Sequence, residues 1–279
     1  MTRTRLVTLG VLAALSVAGA LVLATGAFGD RSERSGGGAL GQMLPDLDPI
    51  TPGGLVTRLV FEDGERHIRL GFYSSGENLG AGPLVIRGHR PSSGEASMTA
   101  DQLIQRRNGQ TVVRPGVGVL RYVEDLTHQH WHLLSFMTYE LRRAADFKLV
   151  VPDQKSGFCL GDRYNVDPDT LMPGEPGSRV YNSNCGPEQT GLLEVVEGMS
   201  VGWGDVYEAW RDGQYLELTG LPAGRYVLVH RVNPDRALKE SNYANNASSV
   251  LLRIAWPSGQ RQPPRLTVLR RCPQTAHCG

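Results

Sequence analysis

The chain has 279 residues, and its 29 Lys and Arg against 28 Asp and Glu leave a formal net charge of +1. So even a balance gives no global field for a polyanion and argues against nucleic acid as a partner. With 34 Gly, 17 Pro and short β-branched runs in place of long helical periodicities, the composition points to an all-β fold with room for a real core.

In chain order, MTRTR is a basic start and residues 6–28, LVTLGVLAALSVAGALVLATGAF, are an uncharged apolar run as long as a bilayer is thick. The run reads as a secretion signal cleaved among the small residues Ala24–Ala27, or as an uncleaved signal anchor. Both place the remaining chain outside the cytoplasm, secreted or held at the outer face, with membrane contact only through this segment. Residues 29–42, GDRSERSGGGALGQ, then form a flexible linker.

A single β domain is expected over residues 43–258. GLVTRLVFEDGERHIRLGFYSSGEN alternates about Asp63-Gly64, and QLIQRRNGQTVVRP about Asn108-Gly109, each a hairpin signal. VGVLRYVEDL, LSFMTYELRR, QYLELTGLPAGRYVLVHRVNP and SSVLLRIAW add further strand-length pieces between turn residues. The pattern is that of an antiparallel β-sandwich. Residues 151–210 alternate poorly and are rich in Gly and Pro, so a long irregular loop region is expected there to carry the site. Residues 259–279 read as a C-terminal tail.

Four cysteines allow three pairings, of which Cys159–Cys185 with Cys272–Cys278 closes the shortest loops. Their spacing does not suit a zinc ribbon, and disulfides fit the oxidising compartment that the N-terminus implies.

The most chemical stretch is HQHWH, residues 128–132. On a helix, His130 would point away from His128 and His132; on a strand, all three point to one side, as a single ion requires. Three imidazoles suit copper, zinc, iron or nickel. Gln129 and Trp131 would face away, Trp131 into the core. His67, His89, His230 and His277 are isolated and read as structural.

At these residues the chain resembles the lysyl oxidases, copper amine oxidases whose animal members carry H-Q-H-Y-H followed by F-x-x-Y-D-L. Here the text is HQHWH, then Phe136, Tyr139, Glu140 and Leu141 at the same spacing. The family motif K-x-x-F-C-L-x-D is matched by Lys155, Phe158, Cys159, Leu160 and Asp162. D-x-Y-x-A-x-x-D is matched by Asp205, Tyr207, Ala209 and Asp212, ahead of a strand and an Ala-Gly-Arg-Tyr turn. LPDL (residues 44–47) and VNPDRALKESNYANN (residues 232–246) extend the resemblance over roughly residues 43–256. Animal members have a histidine and a cysteine where this chain has Asp125 and Thr127.

The resemblance implies copper held by His128, His130 and His132, and a lysine tyrosylquinone cofactor made from Lys155 and Tyr207. It implies oxidative deamination of primary amines, peptidyl lysine or small amines, by O₂ to aldehydes, with release of hydrogen peroxide and ammonia. Asp125, Asp205 and Asp212 are the candidate bases. A three-histidine zinc hydrolase and a non-catalytic, metal-binding extracellular β-sandwich are the alternatives. The hydrolase assigns no role to Lys155 or Tyr207.

Overall fold

A computed structural model describes residues 41–124, 129–155, 157–211 and 213–279, and every regular element among them is a β-strand. In chain order these are β1 (Leu47–Pro49), β2 (Gly53–Glu62), β3 (Glu65–Asn78), β4 (Leu84–His89), β5 (Ser97–Gln105), β6 (Thr111–Glu124), β7 (Gln129–Leu133) and β8 (Met137–Arg143). They continue as β9 (Leu149–Val151), β10 (Tyr164–Asn165), β11 (Glu194–Met199), β12 (Trp203–Tyr207), β13 (Tyr215–Glu217), β14 (Gly224–Val232), β15 (Ala247–Ala255) and β16 (Arg265–Cys272).

The strands form three antiparallel sheets. In the first, long β3 pairs with β1, β2, β12 and β13, and β10 adds to β12; the second runs β11-β4-β5-β6-β7, the third β16-β15-β14-β8-β9. One core is shared by all three, through Phe72 from the first, Leu120 and Trp131 from the second, and Tyr139 and Leu228 from the third. The all-β expectation is therefore met.

Local chemistry explains the turns. Asp63 and Gly64 both have positive φ, 50° and 80°, as the tight two-residue link between β2 and β3 demands. At the second hairpin signal only Gly109 is left-handed, at 80°, and the Asn108 side chain instead accepts from the Gln110 amide at 3.1 Å. That side-chain turn makes the β5–β6 link a longer loop, where the Asn-Gly pair suggested a tight one.

Two regions differ from their reading in the sequence. The stretch 151–210 contains β10, β11 and β12, of which β11 pairs with β4 and β12 with β3. These strands are short and Gly-interrupted, so their pairing is tertiary rather than written in local alternation. The segment 259–279 is more than a tail: β16 is the edge strand of the third sheet, paired with β15 from Ser249↔Cys272 to Ala255↔Arg265. A bulge at Leu251/Leu252 breaks its alternation and masks the strand in the sequence.

The remaining irregular part of 151–210 is fastened at two points. Asp162 is buried and accepts from the Val180 amide (2.8 Å), the Tyr181 amide (3.1 Å), and the amide and hydroxyl of Ser200 (both 2.8 Å). The Cys159–Cys185 disulfide is the second, and Cys272–Cys278 ties the C-terminal end.

Candidate active site

β7 pairs on one side with β6, in the register His132↔Arg121, Trp131↔Tyr122 and His130↔Val123. The alternation of a strand puts His130 and His132 on one face and Trp131 on the other, fully buried and edge-on to Tyr122 at 5.5 Å. The two imidazoles converge, with ring centroids 4.7 Å apart and Nε2 atoms 2.9 Å apart. A separation of that size is also what two adjacent nitrogens have on one ion at bonds of about 2.0–2.1 Å. The donor set and its spacing thus fit a first-row ion. His128, the remaining histidine of the motif, lies outside the described residues, as do Asp125 and Asp212.

The other side of β7 is completed by loops. Leu133 and Phe158 exchange both backbone hydrogen bonds, at 2.8 and 3.0 Å. The Trp131 amide donates to the Cys185 carbonyl at 2.9 Å, and the Glu188 amide to that of Gln129 at 2.8 Å. Since Cys159 and Cys185 are bonded, the disulfide joins the two stretches that edge the histidine strand. Gly157 has φ +148°, and a Cβ there would lie 2.9 Å from both the His132 Cβ and the Leu133 carbonyl. Only glycine lets the lysine-bearing segment approach β7 so closely.

Lys155 and Tyr207 are brought together. The Lys155 Nζ lies 5.0 Å from the centroid of the Tyr207 ring and 5.2 Å from that of Phe158. Phe158 meets the Tyr207 ring edge-on at 5.0 Å and fixes its plane. Gly213 packs on the lysine, with its notional Cβ 3.5 Å from the Lys155 Cα and Cγ.

Tyr207 ends β12 and is buried; its hydroxyl lies 2.8 Å from Asp205 Oδ2 and 3.0 Å from the Cys159 carbonyl. Asp205, two residues back on the same strand face, is fully buried and also meets Arg163 Nε at 3.3 Å. Burial pushes the Asp205 carboxyl up to about 7, against the pull of the Arg163 charge and the Tyr207 hydrogen bond. Burial and the Asp205 charge push the Tyr207 phenol well above its usual range. One hydroxyl hydrogen serves one acceptor at a time. The Tyr207 hydroxyl therefore donates either to the Asp205 carboxylate or to the Cys159 carbonyl.

The four isolated histidines sit elsewhere. His67 meets Glu217 at 3.2 Å, His89 meets Asp101 at 3.1 Å, and His277 stacks on Phe147 at 3.8 Å. His230 is buried against the Ile50 carbonyl at 3.0 Å, and burial lowers it to about 4. Cys159, Cys185 and Glu197 bring sulfur and oxygen atoms within 4.8 Å of one another, but the disulfide leaves no thiolate to hold an ion. Glu197 is buried there, and burial pushes it well above the usual carboxylate range. Sequence reasoning did not single out Arg163 or Glu197, because neither position carries a local signal of its role.

The lysyl oxidase family model matches residues 100–256, more than half of the chain. The chain belongs to the lysyl oxidase family. Chicken lysyl oxidase homolog 2 is 30% identical over 155 residues, covering 55% of this chain and 17% of that protein. Zebrafish lysyl oxidase homolog 3B is 30% identical over 139 residues, 50% of this chain and 15% of its own length. Human lysyl oxidase homolog 2 is 29% identical over 140 residues, or 50% and 16%. The chain thus spans less than a fifth of these curated relatives. The two disulfides suit an oxidising compartment.

Proposed function

We propose that this chain is a copper-dependent amine oxidase, secreted or anchored at the outer face of a membrane, that converts primary amines or peptidyl lysine to aldehydes. The observation that carries the reading is the Lys155 amine 5.0 Å from the Tyr207 ring centroid, on a segment hydrogen-bonded to the strand where two imidazoles converge. His128, His130 and His132 would hold the copper, and Lys155 with Tyr207 would form the lysine tyrosylquinone. When bound, copper with O₂ would supply the oxidising power to convert the tyrosine ring, and the resulting quinone would supply a two-electron sink for amine oxidation with O₂ as final acceptor.

The chain's own residues do the rest. Phe158 and the Cys159 carbonyl hold the Tyr207 ring so that the lysine amine stays over it. Asp205, at 2.8 Å from the Tyr207 oxygen and poised near neutrality, is the base of choice for a proton beside the ring. Arg163 favours its ionised form.

Mass spectrometry of the peptides containing Lys155 and Tyr207, after copper loading in air, tests the reading. A covalent Lys155–Tyr207 cross-link with quinone absorbance and amine-dependent peroxide is the expected result. A Lys155→Ala variant should lose the cross-link while still binding copper. Two unlinked peptides, with no peroxide from any primary amine, would overturn it in favour of a hydrolytic or non-catalytic metal site.

A further inference from the structure

Behind the histidine strand lies a buried arginine that none of this chemistry uses. Arg90 follows β4 and is 7% exposed. Its guanidinium sits over the Trp131 ring, 4.6 Å from the centroid. Its donors go to backbone carbonyls: Nε to Leu192 at 2.8 Å, Nη1 to Glu95 and Nη2 to Thr190. The Arg90 amide donates to the Leu193 carbonyl at 3.0 Å.

The stretch that Arg90 clamps, Cys185 to Leu193, is also the outer edge of β7. Besides the Cys185–Trp131 and Glu188–Gln129 backbone bonds, the Trp131 Nε1 donates to the Gln189 carbonyl at 3.1 Å. Gly186 lies against the same indole, its notional Cβ 3.3 Å from Trp131 Cδ1 and 2.5 Å from Leu192 Cδ1. Trp131 is thus gripped on its ring face by Arg90 and at its N–H by the loop that Arg90 organises. A guanidinium has the flat fork geometry to bridge several carbonyls and stack on an indole at once; an ammonium does not.

Successive strand residues share one backbone, so the rotation of Trp131 sets the aim of His130 and His132 on the opposite face. We propose that Arg90 is a positioning residue for the metal site: it locks Trp131 and the Cys185–Leu193 edge, and through them the convergence of the two imidazoles. This rests on the copper reading above. It also explains why an indole stands in the middle of HQHWH, since Trp is the best face for a buried cation.

The test uses the full chain with Arg90→Lys, Trp131→Phe and the double variant, measuring copper(II) affinity, the electron paramagnetic resonance spectrum of bound copper, and the melting temperature without metal. Both single variants should weaken copper binding by about 10–100-fold, the usual effect of losing a group that orients a ligand, and both should change the spectrum. The double variant should lose much less than the product of the two, because the residues act as one unit. A lower melting temperature with unchanged copper affinity and spectrum would assign Arg90 to stability alone and overturn the proposal. If Arg90→Lys does not fold, Trp131→Phe decides, and a wild-type spectrum in it is the refuting result. Wild-type protein that binds copper no better than a His130→Ala, His132→Ala variant would instead remove the copper reading, and this proposal with it.

Discussion

Removing the Cys159–Cys185 disulfide should damage the site more than it damages the fold. The bond closes a separation of 26 residues, and chain entropy then assigns it about 3.5 kcal/mol. For a domain of this size, each kcal/mol moves the melting temperature by about 2–4 °C, so a Cys159→Ala, Cys185→Ala variant should melt roughly 7–14 °C lower. The loss is also local. Cys185 supplies the carbonyl for the Trp131 amide, and Cys159 the carbonyl for the Tyr207 hydroxyl. Copper affinity and the yield of the Lys155–Tyr207 cross-link should therefore both fall, even at temperatures where the variant is fully folded. The internal control is Cys272–Cys278, with a separation of 6 residues and about 2.2 kcal/mol by the same reasoning. It packs with Val227 and Val229 in a separate cluster, so its removal should leave copper binding untouched. Calorimetry and copper titration on both variants provide the readout. Equal copper affinities in the two, or a wild-type affinity in the first, would refute the scaffold role argued for Cys159–Cys185.

Three further outcomes are expected. Gly157→Ala combines a φ of +148° with contacts of 2.9 Å to the His132 Cβ and the Leu133 carbonyl, so it should cost about 1–3 kcal/mol and weaken copper binding; a neutral result in calorimetry and titration would mean the segment shifts freely. For Asp205 the folded value of about 7 lies above the ordinary 3.8, so the base is ionised, and amine oxidation fast, only above about pH 7. The same carboxyl makes folding less favourable as pH rises from about 4 to 7, where only the unfolded chain has lost the proton. Asp205→Asn should flatten that stability slope and lower kcat by about 10²–10⁴-fold, and an unaltered pH–rate profile would dismiss Asp205 as the base. Arg163 holds the Asp205 value down, so Arg163→Met should move the acidic limb of the rate profile upward; a limb that stays in place would mean that Arg163 does not set it.

The all-β class, the Asp63-Gly64 hairpin and the shared face of His130 and His132 were all legible in the sequence. Each depends on a period of two or on a turn residue with left-handed freedom, and both act between neighbours in the chain. Lys155 and Tyr207, unremarkable in local pattern, were pointed to only by the resemblance to the lysyl oxidases. Local pattern could not show that they meet, because 52 positions separate them in the chain and only the pairing of β12 with β3, and of Phe158 with Leu133, closes that gap. Nor could the sequence show the raised Asp205 value, which follows from burial, or the Arg90 clamp, which joins three separate stretches of chain. Local pattern determined which way the strand turns His130 and His132. Long-range packing decided the distance between Lys155 and Tyr207 and the protonation of Asp205, because both depend on neighbours that the chain brings in from elsewhere.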